Sequence, residues 1–283
     1  MILRELRTMG LDPQNLMEIR SKDGIQVFRF ESGGAHLVIK LLERETDRRE
    51  LKNYRLLAEL GLETLPVLGQ ADKALVLPDL NWDPVYRLGE EADLQDLRVA
   101  AALGQWYRKL HRVGKAHVRD HGKELYDEAD LLTWENLEQV RQRTGTADEP
   151  FWAALFGSFD GFCRKVQKTA KTVTYNDFYY TNLVVARDRS TAFPFDYNLM
   201  GKGCVLADLR NVTYYMETEA QKAFYEAYGP VDETDRLYDA VVSPLVTLVL
   251  GCRAEKLPDW TEEEIEKLHT GELLKAFERF MEE

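Results

Sequence analysis

The sequence predicts an α+β protein with a small antiparallel β-sheet near its N terminus and a larger, mainly helical remainder. Three β-prone runs at 15–21, 25–31 and 35–42 are separated by turns that contain Asp-Gly and Gly-Gly. These dipeptides between β-prone runs are strong hairpin signals. Most of the chain after residue 93 has apolar residues at helical spacing instead. A length of 283 residues allows two lobes, which we place at 1–80 and 81–283.

Composition narrows the classes of function. Hydrophobic residues make up 45% of the chain and charged residues 30%, as in globular proteins. The formal net charge of −12 disfavours a nucleic-acid partner. It is compatible with a cationic substrate and, equally, with solubility alone. The oligomeric state, monomer or homodimer, is left open.

The expected cellular compartment follows from two kinds of segment that we do not find in the sequence. The first residues mix charges into what would be the apolar run of a signal peptide. The longest apolar stretch, around residues 245–250, is too short to span a bilayer, so we expect no membrane association. Cys163, Cys204 and Cys252 have neither metal-ligand nor disulfide spacing. We therefore expect a cytoplasmic protein with reduced cysteines.

Periodicity and turn residues predict the remaining elements. Further strands are expected at 66–70, 74–77, 183–186 and 191–196. Helices are expected at 46–60, 93–113, 129–143, 149–171, 218–228, 233–252 and 261–281. Pro244 is expected to kink the helix that contains it.

One lysine lies within the apolar third strand. Lys40 is followed by two leucines, so its charge needs a partner unless the side chain reaches solvent at the strand end. Glu50, in the first turns of the next helix, is the predicted partner. The alternatives lie before that helix or at its far end: Glu43, Glu45 and Glu59.

The segment from Thr174 to Asp208 carries the chemistry. Asp177 and Asn182 lie in a polar loop before one predicted strand, and Asp196 ends the next. Asp-x-x-x-x-Asn followed by a strand-end Asp is the spacing of kinase catalytic and metal loops. Phosphoryl transfer needs a carboxylate to accept the proton of the attacking hydroxyl and oxygen ligands for Mg²⁺. Asp177 suits the first role and Asn182 and Asp196 the second, although a plain polar hairpin would also use these residues.

Further positions would bind the nucleotide, ATP or alternatively GTP. Gly24 lies in the turn that would cover the phosphates, and Lys40 would contact the α- and β-phosphates. A single glycine is a weak phosphate signature. The carbonyl of Pro78 and the N–H of Leu80 would hold adenine at the connection between the lobes. The alternative for this Pro-Asp-Leu segment is a plain linker.

These parts, found in order, resemble the aminoglycoside phosphotransferase and choline kinase-like family. The resemblance covers most of the chain and rests on the residues just named together with Leu110-His111, Asn176-Asp177, Phe195-Asp196 and Asp208-Leu209. It implies a bilobal protein-kinase-like fold with ATP between the lobes. It also implies transfer of the γ-phosphoryl group to a hydroxyl of a small molecule. A cationic acceptor (an aminoglycoside or an amino alcohol such as choline) and a sugar are both left open.

Two departures from the family pattern leave other classes in view. Tyr175 stands where the family usually has histidine, which questions local packing more than chemistry. Asn176 replaces the glycine common in aminoglycoside kinases. Tyr175 is the only support for a catalytically silent nucleotide-binding protein that acts as a structural or interaction module. A protein kinase is disfavoured, because Asp196 is followed by Tyr197-Asn198 rather than Phe-Gly.

Overall fold

The computed structural model of the chain describes residues 2–282. Its strands are β1 (Gln14–Lys22), β2 (Ile25–Ser32), β3 (Ala35–Leu42), β4 (Gly69–Ala71), β5 (Ala74–Pro78), β6 (Tyr86–Leu88), β7 (Thr172–Thr174), β8 (Leu183–Ala186), β9 (Ala192–Pro194) and β10 (Gly201–Gly203). Its α-helices are α1 (Ile2–Thr8), α2 (Arg49–Glu59), α3 (Leu97–His121), α4 (Trp134–Arg143), α5 (Pro150–Gly157), α6 (Phe159–Lys168), α7 (Val205–Thr213), α8 (Thr218–Tyr228), α9 (Glu233–Gly251), α10 (Glu262–His269) and α11 (Glu272–Glu282).

The predicted N-terminal sheet is present and antiparallel, with strand order β1-β2-β3-β5-β4. Both of its tight turns have positive φ at their two central residues: 54° and 83° at Asp23-Gly24, and 59° and 81° at Gly33-Gly34. Two-residue hairpin turns of this conformation match the twist of the flanking strands, and Asp-Gly and Gly-Gly adopt it at low cost. The turn chemistry therefore sets the strand register.

The two faces of this sheet differ. Leu37, Ile39 and Leu41 of β3 pack with Leu6 of α1 in one buried apolar cluster. Because successive side chains of a strand point to opposite faces, Lys40 lies on the other face. Helix α1, which covers the apolar face, was not predicted.

The chain forms two compact units. One comprises residues up to 114 together with 175–200 and 210–229, and the other comprises 115–174, 201–209 and the residues from 230 onward. This division differs from the lobes placed at 1–80 and 81–283, which stay a prediction. All residues proposed for the site belong to the first unit.

A second sheet in the first unit supports the site. Strands β8 and β9 form the predicted hairpin, and β6 pairs with β8 on its other side. Strand β6 was not predicted, because a three-residue strand is too short to show a period. The second unit has its own core around α9, in which Trp152, Phe162 and Leu245 are buried.

Several helix bounds were predicted wrongly. The helix expected at 93–113 begins later, at Leu97, and runs on to His121. The helix expected at 149–171 is divided at Ser158, whose ψ of 21° and φ of −126° are not helical. The helix expected at 261–281 is divided before Gly271, whose φ is 72°. Among residues 2–282, no helix has the length and apolar character needed to cross a membrane.

Candidate active site

Lys40 is the centre of the candidate site. Its Nζ lies 2.6 Å from Oε2 of Glu50 on α2 and 2.6 Å from Oδ1 of Asp196, which follows β9. Lys40 is 9% exposed and Glu50 1% exposed. The buried ammonium group of Lys40 therefore joins its predicted partner Glu50 and the predicted strand-end aspartate Asp196.

The charges of this cluster are coupled. Burial lowers the pKa of Lys40, but the carboxylates of Glu50 and Asp196 outweigh this effect and hold it above its ordinary value. Burial raises the pKa of Glu50, and Lys40 opposes that rise. Lys40 is therefore a permanent cation here, and each carboxylate depends on it for compensation.

The β8–β9 hairpin aligns the loop residues. The backbone N–H of Phe195 donates to the carbonyl oxygen of Asn182 at 2.9 Å, next to the pair Leu183–Pro194. Phe195 thus lies opposite Asn182 across the hairpin, and Asp196 is the next residue along the chain. Nδ2 of Asn182 donates to the carbonyl oxygen of Asp177 at 3.2 Å, which fixes the amide and leaves its oxygen as an acceptor.

Asp177 has the electrostatics of a carboxylate that can take up a proton near neutral pH. Burial and, second, the negative charge of Asp196 raise its pKa to about 6, although Lys40 opposes the rise. A base is most effective when its pKa lies near the working pH. At pH 7 this group is mostly ionised and still more basic than an ordinary aspartate.

Left-handed backbone occurs at two residues of the site. Asn176 and Asp196 both have φ of 68°. Asn and Asp tolerate this region better than other residues with a Cβ, which accounts for the asparagine before Asp177. Nδ2 of Asn176 also donates to the carbonyl oxygen of Leu199 at 3.1 Å, so the loop is tied to the segment after Asp196.

Tyr175 has a defined contact in the site. Its hydroxyl donates to the carbonyl oxygen of Phe195 at 2.5 Å, and its ring meets that of Tyr197 edge-on at a centroid distance of 5.8 Å. Tyr175 therefore holds the peptide that immediately precedes Asp196. The doubt about packing at this position is answered by a buried, hydrogen-bonded tyrosine.

Helix α2 is tied to the same segment by residues that were not predicted for the site. Nδ2 of Asn53 donates to the carbonyl oxygen of Tyr197 at 2.6 Å, and the rings of Tyr54 and Tyr197 meet edge-on at 4.7 Å. Asn53 is one helical turn after Glu50, so this spacing was the available signal. The contact links the position of Glu50 to that of Asp196.

The predicted adenine positions lie where β5 ends. Pro78 pairs with Leu37, and Leu80 is buried. Between them, the buried Asp79 forms an ion pair with Arg29 and accepts the backbone N–H of Asn81 at 3.1 Å. The predicted connection is therefore an anchored segment rather than a loose linker.

Gly24 lies in the β1–β2 turn, as predicted. Its carbonyl oxygen accepts the backbone N–H of Glu43 at 3.0 Å, and a Cβ added to it would lie 3.2 Å from Cγ of Arg44. The turn thus lies beside the end of β3, which is two residues beyond Lys40, and next to the cationic side chain of Arg44, which was not predicted for the site. No contact joins Gly24, Pro78 or Leu80 directly to the Lys40 cluster among the interactions described for residues 2–282.

The donor set fits a magnesium ion that is shared with a nucleotide. The Asn182 amide oxygen and the Asp196 carboxylate are hard oxygen ligands, and Mg²⁺ is commonly held by one or two such groups plus phosphates and water. Residues 2–282 contain no cluster of three or more His, Cys, Asp or Glu side chains suited to a metal.

Comparisons with known proteins agree with this geometry. A model of the phosphotransferase enzyme family matches residues 19–241. The chain is similar to a macrolide 2′-phosphotransferase, MphH, from Brachybacterium faecium, at 18% identity and a TM-score of 0.60 over 94% of this chain and 97% of that one. It is also similar to spectinomycin phosphotransferase APH(9)-Ia solved with ADP and spectinomycin, at 14% identity and a TM-score of 0.59 over 95% and 93% of the two chains.

A third similar structure is a choline/ethanolamine kinase family protein from Mesorhizobium loti, with 11% identity and a TM-score of 0.55 over 95% of this chain and 93% of that one. A search of curated proteins found no match. At these identities the solved structures establish the kinase-like fold alone, whereas the family model spans most of the sequence. The chain therefore belongs to the phosphotransferase enzyme family.

Proposed function

We propose that this protein is an ATP-dependent phosphotransferase that moves the γ-phosphoryl group to a hydroxyl of a small molecule. The observation that carries the proposal is the position of Lys40, 2.6 Å from both Glu50 and Asp196. In that arrangement a fixed cation lies beside the carboxylate that we propose as a metal ligand, and phosphoryl transfer requires both groups. ADP in the similar spectinomycin phosphotransferase supports an adenine nucleotide.

The proposed roles of the nucleotide- and metal-binding residues differ. Lys40, held by Glu50, contacts the α- and β-phosphates. The turn that contains Gly24 covers the phosphates, and Pro78 and Leu80 hold adenine. Asn182 and Asp196 would hold Mg²⁺, which supplies charge neutralisation on the phosphates when bound. These groups act by position and charge, without covalent bonding to the substrate.

Asp177 would act on the acceptor. Its carboxylate orients the acceptor hydroxyl and takes its proton as the hydroxyl oxygen forms a bond to the γ-phosphorus. The bond from that phosphorus to the β–γ bridging oxygen breaks, and ADP leaves with the electron pair. The raised pKa of Asp177 suits this role, because the carboxylate is ionised at pH 7 yet basic enough to hold the proton.

The structure gives the catalytically silent alternative less support than the sequence did. It rested on Tyr175 in place of histidine. The hydrogen bond from the Tyr175 hydroxyl to Phe195 gives that tyrosine a scaffold role beside Asp196. The hypothesis of an active enzyme is therefore compatible with a tyrosine at position 175.

The acceptor class is the finer part of the proposal. The similar structures are named for a macrolide, for spectinomycin and for choline or ethanolamine, so they favour no single acceptor. Fold similarity by itself does not decide substrate. A small molecule with a hydroxyl, with a cationic group as the first choice, is the class that we propose to test.

The test is magnesium-dependent ATP consumption with aminoglycosides, macrolides, amino alcohols and sugars as acceptors. Asp177→Asn should lower turnover by about 10²- to 10⁴-fold. The matched control is Asp188→Asn, which makes the same change at an exposed aspartate in the turn of the β8–β9 hairpin and should keep full activity. Full turnover by Asp177→Asn would refute the assignment. Nucleotide binding without transfer to any acceptor would favour the non-catalytic alternative.

A further inference from the structure

The segment that carries Asp196 is held by a side chain on each side of that residue. Before it, the Tyr175 hydroxyl donates to the carbonyl oxygen of Phe195 at 2.5 Å. After it, Nδ2 of Asn53 donates to the carbonyl oxygen of Tyr197 at 2.6 Å. One donor directly follows β7 and the other lies on α2. Two elements that are remote in sequence therefore fix the chain around Asp196.

Asp196 needs such support because its backbone is left-handed, with φ of 68°. A residue with a Cβ is less stable in this region and stays there only where its surroundings fix it. Strand β9 ends at Pro194, so strand pairing does not include Asp196. A return of the backbone to an extended conformation would move the carboxylate, whose Oδ1 lies 2.6 Å from Nζ of Lys40. The contact with Lys40 therefore requires that the chain around Asp196 be held.

Asn53 joins that segment to the other partner of Lys40. It is buried on α2, one helical turn after Glu50. Oε2 of Glu50 lies 2.6 Å from Nζ of Lys40. A single helix thus holds one carboxylate of the cluster directly and, through Asn53, the chain that carries the other. The amide of Asn53 therefore couples the position of Asp196 to that of Glu50.

The residue that accepts the Asn53 amide is also packed independently of it. The ring of Tyr197 is buried and meets the rings of Tyr54 and Tyr175 edge-on, at centroid distances of 4.7 Å and 5.8 Å. The Tyr197 hydroxyl donates to the carbonyl oxygen of Pro194. Removal of the amide would thus release the main chain at Tyr197 while the ring stays in place. The role of the amide can therefore be tested by one substitution.

We propose that Asn53 is a positioning residue whose amide keeps Asp196 in its left-handed conformation beside Lys40. This inference rests on the proposed function, in which Asp196 holds Mg²⁺ that is shared with the nucleotide phosphates. Asn53 acts through the carbonyl of Tyr197 and has no role in the adenine or phosphate contacts. Its loss should therefore weaken the binding of the metal more than the binding of the nucleotide. An asparagine that only stabilised the fold would weaken neither in the folded protein.

The direct measurement is the binding of Mn²⁺ to the full chain with ADP, followed by electron paramagnetic resonance. Mn²⁺ takes the same oxygen ligands as Mg²⁺, and the measurement needs no turnover. Asn53→Ala leaves the buried carbonyl of Tyr197 without its donor, which should weaken Mn²⁺ binding by about 5- to 100-fold. Binding of ADP without metal, measured by calorimetry, should stay nearly unchanged. Unchanged Mn²⁺ affinity, or an equal loss of metal-free ADP binding, would overturn the inference.

Two further variants complete the test. Asn136→Ala removes an equivalent hydrogen bond outside the site, from Nδ2 to the carbonyl oxygen of Leu131 at 2.7 Å, and should leave Mn²⁺ affinity unchanged. An equal loss of affinity in this control would contradict a specific role of Asn53. If circular dichroism shows that Asn53→Ala does not fold, Asn53→Leu takes its place, since leucine is similar in size and also lacks a donor. A folded Asn53→Leu that binds Mn²⁺ as tightly as the wild type would likewise refute the inference.

Turnover distinguishes this inference from the proposed function. In Asn53→Ala, the Mg²⁺ concentration for half-maximal rate should rise by the same factor as the Mn²⁺ dissociation constant, while KM for ATP at saturating Mg²⁺ stays nearly unchanged. Transfer with the wild-type dependence on Mg²⁺ would support the phosphotransferase and refute the role of Asn53. Weakened Mn²⁺ binding in the variant of a protein that transfers phosphate to no acceptor would support the role of Asn53 and refute the phosphotransferase.

Discussion

Asp177→Asn should make the protein more stable while it removes the activity. Burial and the charge of Asp196 raise the pKa of Asp177 from an ordinary 3.8 to about 6. At pH 7 the folded protein therefore keeps Asp177 ionised in surroundings that favour the neutral carboxyl group, which costs folding free energy. Asparagine has nearly the same shape and no charge, so the substitution removes that cost.

The size of the effect follows from the shift in pKa. A rise from 3.8 to about 6 is equivalent to about 3 kcal/mol, at about 1.36 kcal/mol per pKa unit. Asp177 is only partly buried, and solvent screening reduces this to about 1–2 kcal/mol. The entropy of unfolding is about 2.1 cal/mol/K per residue, so the melting temperature should rise by about 2–3 °C.

The pH dependence gives the prediction its sign. Below about pH 4 Asp177 is protonated in both the folded and the unfolded chain, so it costs no stability. Between pH 4 and 6 the unfolded chain ionises first, and the wild-type protein loses stability relative to Asp177→Asn. Above pH 6 the difference should be constant. In the wild type, kcat/KM should fall about tenfold per pH unit below about pH 6 as the base becomes protonated.

The assay is thermal unfolding of the wild type and of Asp177→Asn from pH 4 to 8, followed by circular dichroism. Asp188→Asn is the control, since it alters an exposed turn aspartate in the same hairpin. A difference in melting temperature that does not open between pH 4 and 6, or a destabilised Asp177→Asn, would refute the electrostatic account. Activity that is unchanged from pH 8 to pH 5 would refute the role of Asp177 as the base.

Three further predictions concern the surroundings of the site. Tyr175→Phe loses the hydrogen bond to the carbonyl of Phe195, so kcat should fall about 3- to 10-fold while nucleotide binding changes less, and Tyr175→His should recover part of the loss in steady-state assays. Lys40→Met leaves a buried carboxylate on α2 without its cation, so the protein should lose about 3–5 kcal/mol at pH 8 and less near pH 5, as urea unfolding at both values would reveal. Gly104→Ala would place a Cβ 2.4 Å from a carbonyl oxygen of α8 and should lower the free energy of unfolding by about 1–3 kcal/mol in the same assay. The control is Gly157→Ala, which has open space around it and should cost nothing. Equal stability of the two variants would contradict the close packing at Gly104.

Much of the fold could be predicted from local sequence. Asp23-Gly24 and Gly33-Gly34 adopt the two-residue hairpin turns because of their own backbone preferences. The apolar residues on both sides of Lys40 at 35–42 identified it as a charge that needs a partner. Helix ends were predicted less well, since Ser158 and Gly271, whose backbone angles are not helical, interrupt runs that are apolar on one face throughout.

The sequence by itself determined which chemical groups the site contains. Asp177 and Asn182 are five residues apart in one loop, and a hairpin of two apolar runs carries Asp196 back to the same end. These separations are short enough for strand geometry to decide the spacing. The kinase-like order of the parts could therefore be recognised from the sequence alone.

Only the tertiary structure decided which groups touch. Lys40 and Asp196 are 156 residues apart, and Asn53 is 144 residues from the carbonyl of Tyr197 that it binds. No local preference specifies such pairs; the packing of α2 against the segment after β9 does. The hydrogen bond from the Tyr175 hydroxyl to the carbonyl oxygen of Phe195 is of the same kind. Side-chain directions in a folded chain depend on neighbours that are remote in sequence, and for that reason the substrate side of the site could not be inferred from the sequence.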